Sequence, residues 1–142
     1  MTQPTIAPFR TQLLKWVGNK QRFAPQIISL FPEDMETYYE PFLGSGGVLG
    51  TLSPKNAVAS DALHPLMDIW FTLKEDPDRL IQWYAERRDG LEDHNQVKAR
   101  YAHILADFNQ NPNGADFVFL TRTCYGGVVR FRKSDGGMST PC

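Results

Sequence analysis

The apolar positions of this chain recur first at helical spacing and then in short strand-like runs. Those between Gly18 and Pro32 predict an amphipathic helix from Asn19 to Leu30. They are Phe23, Ile27, Ile28 and Phe31. The aromatic run Thr37–Phe42 is typical of a strand. It leads directly into the glycine turn Gly44–Gly47.

The region after the glycine turn predicts a second round of helix, strand and helix. Val48–Leu52 can form a short helix, Asn56–Ser60 a second, buried strand, and Leu63–Leu73 a longer helix. Strands that alternate with helices in this order are typical of parallel sheets. The pattern therefore predicts one βαβα unit of an α/β fold.

The second half of the chain is predicted to be mainly helical. Asp76 and Pro77 form an N-cap followed by proline at the first helical position, and a further helix is expected around Tyr101. The segment Asp116–Cys124 can be a third helix, although Phe117–Phe119 also fits a strand. Beyond Tyr125, frequent glycines predict turns. Three regions follow: a flexible lead-in at 1–12, an α/β core at 13–75 and a helical region at 76–142.

Composition and charge narrow the possible functions only moderately. The 15 Lys and Arg residues nearly balance the 16 Asp and Glu residues, and the net charge is −1, so any nucleic-acid contact must come from a local patch. Cys124 and Cys142 are too few and too far apart to indicate a zinc site or a disulfide scaffold. No apolar run is long enough to span a membrane or to resemble a signal peptide. We therefore expect a soluble, cytoplasmic protein without a metal site.

The glycine turn points to an anionic cofactor. Glycines after a strand let the backbone approach a ligand, and an acid at the end of the next strand, here Asp61, can accept hydrogen bonds from ribose hydroxyls. A nucleotide-binding oxidoreductase is one alternative, but Leu49 stands where its third glycine is expected. A tight turn without a cofactor, with Asp61 as a helix cap, also fits.

Four ordered segments carry a resemblance to a known family. They are Lys15–Lys20, Glu40–Gly47, Ser60-Asp61, and Arg122–Phe131 with Pro141. Together they resemble the Dam-like, D12-class DNA adenine N6-methyltransferases from about Leu13 to the end of the chain. The resemblance implies an incomplete Rossmann-like core with a helical DNA-recognition insertion, S-adenosyl-L-methionine as cofactor and double-stranded DNA as partner. It also implies a role such as site-specific methylation in restriction–modification.

The resemblance also implies roles for individual residues. The cofactor-binding positions are Trp16, Lys20, Glu40, Gly44, Gly46 and Asp61. The DNA-binding positions are Lys15, Tyr125, Arg130, Arg132, Lys133 and Pro141. Arg130 matches a guanine-reading arginine, whereas Arg132 and Lys133 can either grip phosphates or form a solvated basic turn. Trp16 can equally be a buried anchor, Lys20 a solvated lysine and Tyr125 a core residue.

The tetrapeptide that carries catalysis in this family does not occur in the 142 residues. That motif reads Asp/Asn-Pro-Pro-aromatic and holds the flipped adenine. Asp76-Pro77-Asp78 and Asn111-Pro112-Asn113 both lack the second proline. The sequence thus predicts no catalytic residue of its own. It indicates a truncated product or part of a split enzyme completed by a downstream polypeptide, with a non-catalytic DNA-binding or assembly remnant as the alternative.

Overall fold

The computed structural model describes residues 14–142 and divides into two compact units. The first unit ends at Ala62 and the second comprises Leu63–Cys142. The lead-in predicted at 1–12 lies outside the described residues. The sequence places the boundary near residue 75 instead. The difference arises because the helix that follows Leu63 packs against the helices of the second unit.

The first unit contains two short helices and two short strands. A 3₁₀ turn at Gln21–Phe23 leads into α1 (Ala24–Ile28), followed by β1 (Tyr38–Glu40), α2 (Gly47–Leu52) and β2 (Ala57–Ala59). The helix predicted at Asn19–Leu30 is therefore much shorter. Its regular part begins only at Ala24, with proline in the first turn, where the missing N–H costs nothing. The chain leaves the helix after Ser29.

The two strands pair in parallel, as the order of elements predicts. Tyr38 lies opposite Ala57, Tyr39 opposite Val58 and Glu40 opposite Ala59. Each strand is shorter than predicted, and Pro41, which has no N–H to donate, comes directly after β1. The prediction that the second strand is buried is wrong: Val58 is 55% exposed and Tyr39 is 66% exposed. One face of the pair is therefore open within this unit.

The second unit is built from four helices. They are α3 (His64–Glu75), α4 (Pro77–Arg88), α5 (His94–Gln110) and α6 (Gly114–Thr123). α6 packs against the other three, and its consecutive residues from Phe117 to Thr121 are all buried, as expected for a central helix. The ring of Phe117 on α6 stacks on Phe108 of α5, with ring centroids 5.4 Å apart. Tyr84 of α4 packs against Phe119 at 6.2 Å.

Side-chain caps explain where three of these helices, α4, α5 and α6, begin. Asp76 accepts a hydrogen bond from the backbone N of Arg79 at 3.0 Å, which confirms the predicted start of α4. Asp93 and Gln96 form a reciprocal capping box at the start of α5. Asn113 caps α6 through the backbone N of Asp116 at 2.9 Å. The segment around Phe117 is thus a helix and not a strand.

The chain beyond α6 folds back on itself without further regular helix. A 3₁₀ turn covers Tyr125–Gly127, and Phe131 then forms an antiparallel bridge with Met138. The predicted glycine-rich turns are therefore present. Within residues 14–142, none of the helices is both long enough and apolar enough to cross a bilayer.

Candidate functional site

A cavity of about 360 Å³ lies in the first unit. This volume is within the range of small-molecule sites. Five residues that the sequence proposes for the cofactor line it: Trp16, Lys20, Glu40, Gly44 and Asp61. They come from separate parts of the chain. Gly46, the sixth, is the N-cap of α2 and has a φ of 63°, so it shapes the turn from which the cavity wall continues.

The indole of Trp16 lies directly against Gly44. A Cβ atom added at Gly44 would sit 2.9 Å from Cδ1 of Trp16, and the φ of Gly44 is +51°. Both the space and the backbone conformation therefore require glycine here. Trp16 is half-buried and forms part of the cavity wall. This position is compatible with a stacking surface that remains open on one side.

The carboxylates of Glu40 and Asp61 both accept hydrogen bonds from the backbone around the glycine turn. Asp61 accepts a hydrogen bond from the backbone N of Gly44 at 3.0 Å, and Glu40 accepts one from Leu49 at 3.0 Å. The loop between β1 and α2 is thus held from both sides by carboxylates. The two bonds fix the loop conformation before any ligand binds.

Glu40 has an unusual protonation behaviour because of its surroundings. Burial raises the pKa of its carboxyl above the ordinary value, although the hydrogen bonds from Leu49 and Tyr38 act in the opposite direction. Burial also raises the pKa of the Tyr38 hydroxyl to about 12, and the nearby Glu40 adds to the shift. The Tyr38–Glu40 pair therefore keeps a proton between its side chains at neutral pH.

Two polar side chains in the cavity wall have donors that no described contact uses. The ammonium of Lys20 donates to the carbonyl of Gly18 at 2.7 Å, and an ammonium carries three donors in all. Asn19 accepts from the backbone N of Gln21 at 2.6 Å, while its buried Nδ2 finds no partner among the described residues. Unpaired buried donors are rare in folded proteins, and a bound ligand, ion or water can satisfy them.

Several cavity residues escaped the sequence analysis. They include Val17, Asn19, Phe42, Leu43, Ser45 and Gly47. All of them lie inside or next to the two glycine-containing segments that carry the family resemblance. Their position in or beside these segments is therefore a signal by which the sequence could have identified them as cavity residues. The sequence pattern does not reveal that the Asn19 amide is buried, because its burial depends on packing against the start of α2.

The predicted DNA-binding cations in the second unit differ in their surroundings. Arg132 forms a two-pronged ion pair with Asp135: Nε lies 2.9 Å from Oδ1 and Nη2 lies 2.9 Å from Oδ2. Arg130 and Lys133 are exposed, and their side chains have no hydrogen-bond or ion-pair partner in the part of the chain that the structure describes. Arg130 and Lys133 are thus available cations, whereas Arg132 is engaged.

The other predicted DNA-binding residues are also at the surface. Tyr125 is 76% exposed, so the alternative that it fills the core is wrong. Pro141 is exposed, and its carbonyl accepts a hydrogen bond from the backbone N of Tyr125 at 2.8 Å. Lys15 is exposed in the first unit. Their contact with DNA remains a prediction.

Comparisons with known proteins identify the relatives of this chain. The profile of the family described as D12 class N6 adenine-specific DNA methyltransferase matches residues 16–140. Type II methyltransferase M.MjaIII of Methanocaldococcus jannaschii is 35% identical over 90% of this chain and 49% of its own length. Type II methyltransferase M1.LlaDCHI of Lactococcus lactis subsp. cremoris is 35% identical over 82% of this chain and 42% of its own length.

A phage protein adds to this group. DNA N-6-adenine-methyltransferase of Escherichia phage P1 is 28% identical over 90% of this chain and 17% of its own length. The chain thus spans about half or less of the length of these relatives. The profile match nevertheless covers nearly all of the described residues. The chain belongs to the D12 class of N6 adenine-specific DNA methyltransferases.

Proposed function

We propose that this chain binds S-adenosyl-L-methionine in the cavity of its first unit and forms part of an enzyme that methylates adenine at N6 in double-stranded DNA. The observation that carries the proposal is the convergence of Trp16, Lys20, Glu40, Gly44 and Asp61 on one cavity. These residues come from separate positions between Trp16 and Asp61. Support of the glycine loop accounts for Glu40 and Asp61, but a purely structural turn does not require the Lys20 ammonium to line the same cavity.

The chemistry of the cavity wall fits this cofactor. When bound, the cofactor supplies a methyl group activated on a sulfonium. The Trp16 indole offers a surface for an adenine ring or for a cation, and the Lys20 ammonium can pair with a carboxylate. Asp61 can accept hydrogen bonds from ribose hydroxyls, and the buried amide of Asn19 is a donor in need of a partner.

The second unit is proposed to supply DNA recognition. Arg130 and Lys133 are exposed cations, and Tyr125 adds an exposed aromatic ring near the same segment. An arginine can read a guanine edge with two parallel hydrogen bonds, whereas a lysine contacts phosphates as a point charge. On this proposal, residues 13–75 belong to a Rossmann-like core, although α3 packs on the helices of the second unit, and residues 76–142 form a helical recognition insertion.

The remaining part of the enzyme is proposed to come from another polypeptide segment. The open face of the two-stranded sheet carries Tyr39 and Val58, and such a face is normally covered in parallel sheets. The catalytic Asp/Asn-Pro-Pro-aromatic tetrapeptide is also absent from the 142 residues. We therefore propose that additional strands and the catalytic motif are supplied together. A non-catalytic remnant that binds DNA is the second candidate, and the same missing tetrapeptide favours it.

Calorimetric titration with S-adenosyl-L-methionine and its demethylated product tests the cofactor site. We expect the parent chain to bind both, and Asp61→Ala to weaken binding by about 1.5–3 kcal/mol because a charged acceptor is lost. Asp61→Asn is the informative companion. It keeps an oxygen for the backbone N of Gly44 but removes the charge, so its binding should fall between the two.

Glu33→Ala provides the matched control for the loss of a carboxylate. Glu33 is exposed in the same unit and is not part of the cavity wall. Its removal should leave the affinity unchanged. If Asp61→Ala bound the cofactor as tightly as the parent and Glu33→Ala do, the assignment of Asp61 to the cofactor would be rejected.

A further inference from the structure

The segment between Val128 and Thr140, which we call the recognition hairpin, is fixed by its own backbone pairing. Arg132 donates from its backbone N to the carbonyl of Gly137 at 2.8 Å, and Ser139 donates to Arg130 at 2.9 Å. Thr140 closes the open end: its hydroxyl accepts from the backbone N of Arg130 and donates to Val128. The side chain of Arg130 therefore emerges from a segment whose backbone is held in place.

The recognition hairpin is also attached to α5 by side chains. The amide of Asn109 donates to the carbonyl of Met138 at 3.0 Å and accepts from its backbone N at 2.7 Å, as a neighbouring strand would. The hydroxyl of Tyr101 donates to the carbonyl of Thr140 at 2.7 Å. Met138 itself is fully buried. The returning strand is thus held firmly along its length.

Among the described residues, no side chain of α5 hydrogen-bonds to the turn of the recognition hairpin, which is held by Arg132 and Asp135. The guanidinium forms two parallel hydrogen bonds with the carboxylate, and its Nη1 reaches the carbonyl of Met138 at 3.3 Å. The carboxylate also accepts from the backbone N of Gly137 at 3.0 Å. A Cβ at Gly137 would lie 2.8 Å from Cζ of Arg132, so the guanidinium packs on the glycine backbone.

This arrangement uses three of the five guanidinium donors of Arg132, including the Nε–Nη2 edge that could otherwise grip a phosphate with two parallel hydrogen bonds. A forked arginine–carboxylate pair is among the strongest surface ion pairs, because both hydrogen bonds are charge-assisted and geometrically fixed. The hydrogen bonds from Arg132 and Gly137 lower the pKa of the Asp135 carboxyl, so it stays ionised at neutral pH. Lys133, the next residue along the chain, lies within the turn that the pair encloses and has no partner among the described residues.

We propose that Arg132 and Asp135 form a clamp across the hairpin turn that positions Arg130 and Lys133 for DNA. Arg132 is on this view a positioning residue and does not grip phosphate, although its sequence position suggests that it could. The inference rests on the proposed DNA-binding function of the second unit. It assigns Asp135 a part in DNA recognition, a role that an acidic residue beside a phosphate backbone would not otherwise have.

The clamp and a direct phosphate contact by Arg132 predict opposite effects of Asp135→Ala on the affinity for DNA. If Arg132 contacted phosphate, Asp135→Ala would free the arginine and remove a negative charge, so DNA binding would become tighter. If the pair is a clamp, Asp135→Ala loosens the turn, and binding becomes weaker by about threefold or more. Arg132→Ala should then have the same effect. The double variant should be no weaker than either single variant, because both remove one interaction.

Equilibrium binding to duplex DNA selected by the parent chain from a random pool, and to single-base variants of it, provides the test. The variants are Asp135→Ala, Arg132→Ala, their double, and the charge swap Arg132→Asp with Asp135→Arg. The swap should recover part of the binding lost in each single variant, which a direct phosphate contact by Arg132 would not allow. Lys133→Ala is the control: it should weaken all sequences alike and lower the salt slope by about one.

Hydrogen exchange of the hairpin amides distinguishes failure of the clamp from failure of the proposed DNA-binding function. Asp135→Ala should speed exchange at the backbone N–H groups of Gly136 and Gly137, which bond to Arg132 and Asp135, but not at Met138. Tighter DNA binding by Asp135→Ala, or unchanged exchange at Gly137, would overturn the clamp alone. Failure of the parent chain to bind any duplex would overturn the proposed DNA function, whatever the exchange rates show.

Discussion

Gly44 occupies a position in the cavity wall that no larger residue fits. Its φ of +51° costs an alanine about 1–2 kcal/mol, and the added Cβ would also meet the Trp16 indole at 2.9 Å. We expect Gly44→Ala to lower the free energy of unfolding and to abolish cofactor binding, because the indole must move. Urea denaturation and calorimetry of the same variant measure the two effects.

Gly90→Ala separates backbone strain from the clash at Trp16. Gly90 has a similar φ of +68°, but nothing lies within 4 Å of the added Cβ. It should therefore lose stability by a comparable backbone term and keep its affinity for the cofactor. Equal affinities of the parent and Gly44→Ala would contradict the role of the Trp16–Gly44 contact.

Glu40 should make the stability of the chain depend on pH in a defined direction. Burial raises the pKa of its carboxyl in the folded state above the usual 4.5, so the folded chain binds the proton more tightly than the unfolded chain. The contribution of Glu40 to the free energy of unfolding is therefore largest below pH 4.5. It falls as the pH rises from 4.5 through the raised pKa, and it stays constant above that.

Two substitutions at Glu40 test this behaviour by urea denaturation over a range of pH. Glu40→Gln keeps an acceptor for the backbone N of Leu49 and carries no charge, so it should be at least as stable as the parent at neutral pH. Glu40→Ala leaves that N–H unpaired and should lose about 1–3 kcal/mol. A parent and a Glu40→Gln variant with parallel pH profiles would show that the carboxyl titrates normally.

Hydrogen bonds at the start of α6 connect this helix to α3 and α4. Asp116 accepts from Nε of Arg87 at 2.8 Å and from Nδ2 of Asn113 at 2.8 Å, which ties α4 to α6. The backbone N of Gly114 donates to Asp68 of α3 at 3.0 Å. These bonds lie close to the cap of the helix whose middle forms the core of this unit. Their loss therefore affects three helices at once.

Asp116→Ala should accordingly destabilise the second unit by about 1.5–3 kcal/mol, because a mostly buried Arg87 loses its charged partner. Glu86→Ala is the matched control. Glu86 approaches the same guanidinium only at 3.9 Å and is 55% exposed, so its removal should change stability by less than about 0.5 kcal/mol. Thermal unfolding followed by circular dichroism compares the two, and similar losses would argue against the Arg87–Asp116 tie.

The elements that sequence predicts well are those with strong local signals. The start of α4 follows from Asp76 and Pro77, and the period of apolar residues predicts the bounds of α3 closely and the presence of α5. The predicted helix at 19–30 is shorter because its apolar residues are only partly buried, so packing does not extend it. The Arg132–Asp135 clamp was missed since a three-residue spacing has structural meaning only once the turn is known.

At the scale of the whole molecule, two observations agree with the proposal that a further polypeptide segment completes the enzyme. They are the open face of β1 and β2 and the greater length of the relatives. The chain spans 49% of M.MjaIII, and the sheet leaves Tyr39 and Val58 exposed side by side. The faces of parallel sheets are normally covered by helices, so this exposed pair agrees with the proposal that a further segment packs here. The cavity residues lie on other positions of the same unit, so binding of the cofactor and completion of the sheet can be tested separately.

Complementation provides that test. We expect the 142-residue chain alone to transfer no radiolabelled methyl group to DNA, because it has no tetrapeptide to hold the adenine amine. Addition of a polypeptide with the part of M.MjaIII that this chain does not match should restore transfer. Tyr39→Asp should block that gain while leaving cofactor affinity intact, since a carboxylate on the sheet face opposes burial. Ile81→Asp, at an equally exposed position of α4, should not block it. Methyl transfer by the chain alone would contradict the need for a second segment, and equal transfer by the complemented parent and Tyr39→Asp would place that segment elsewhere.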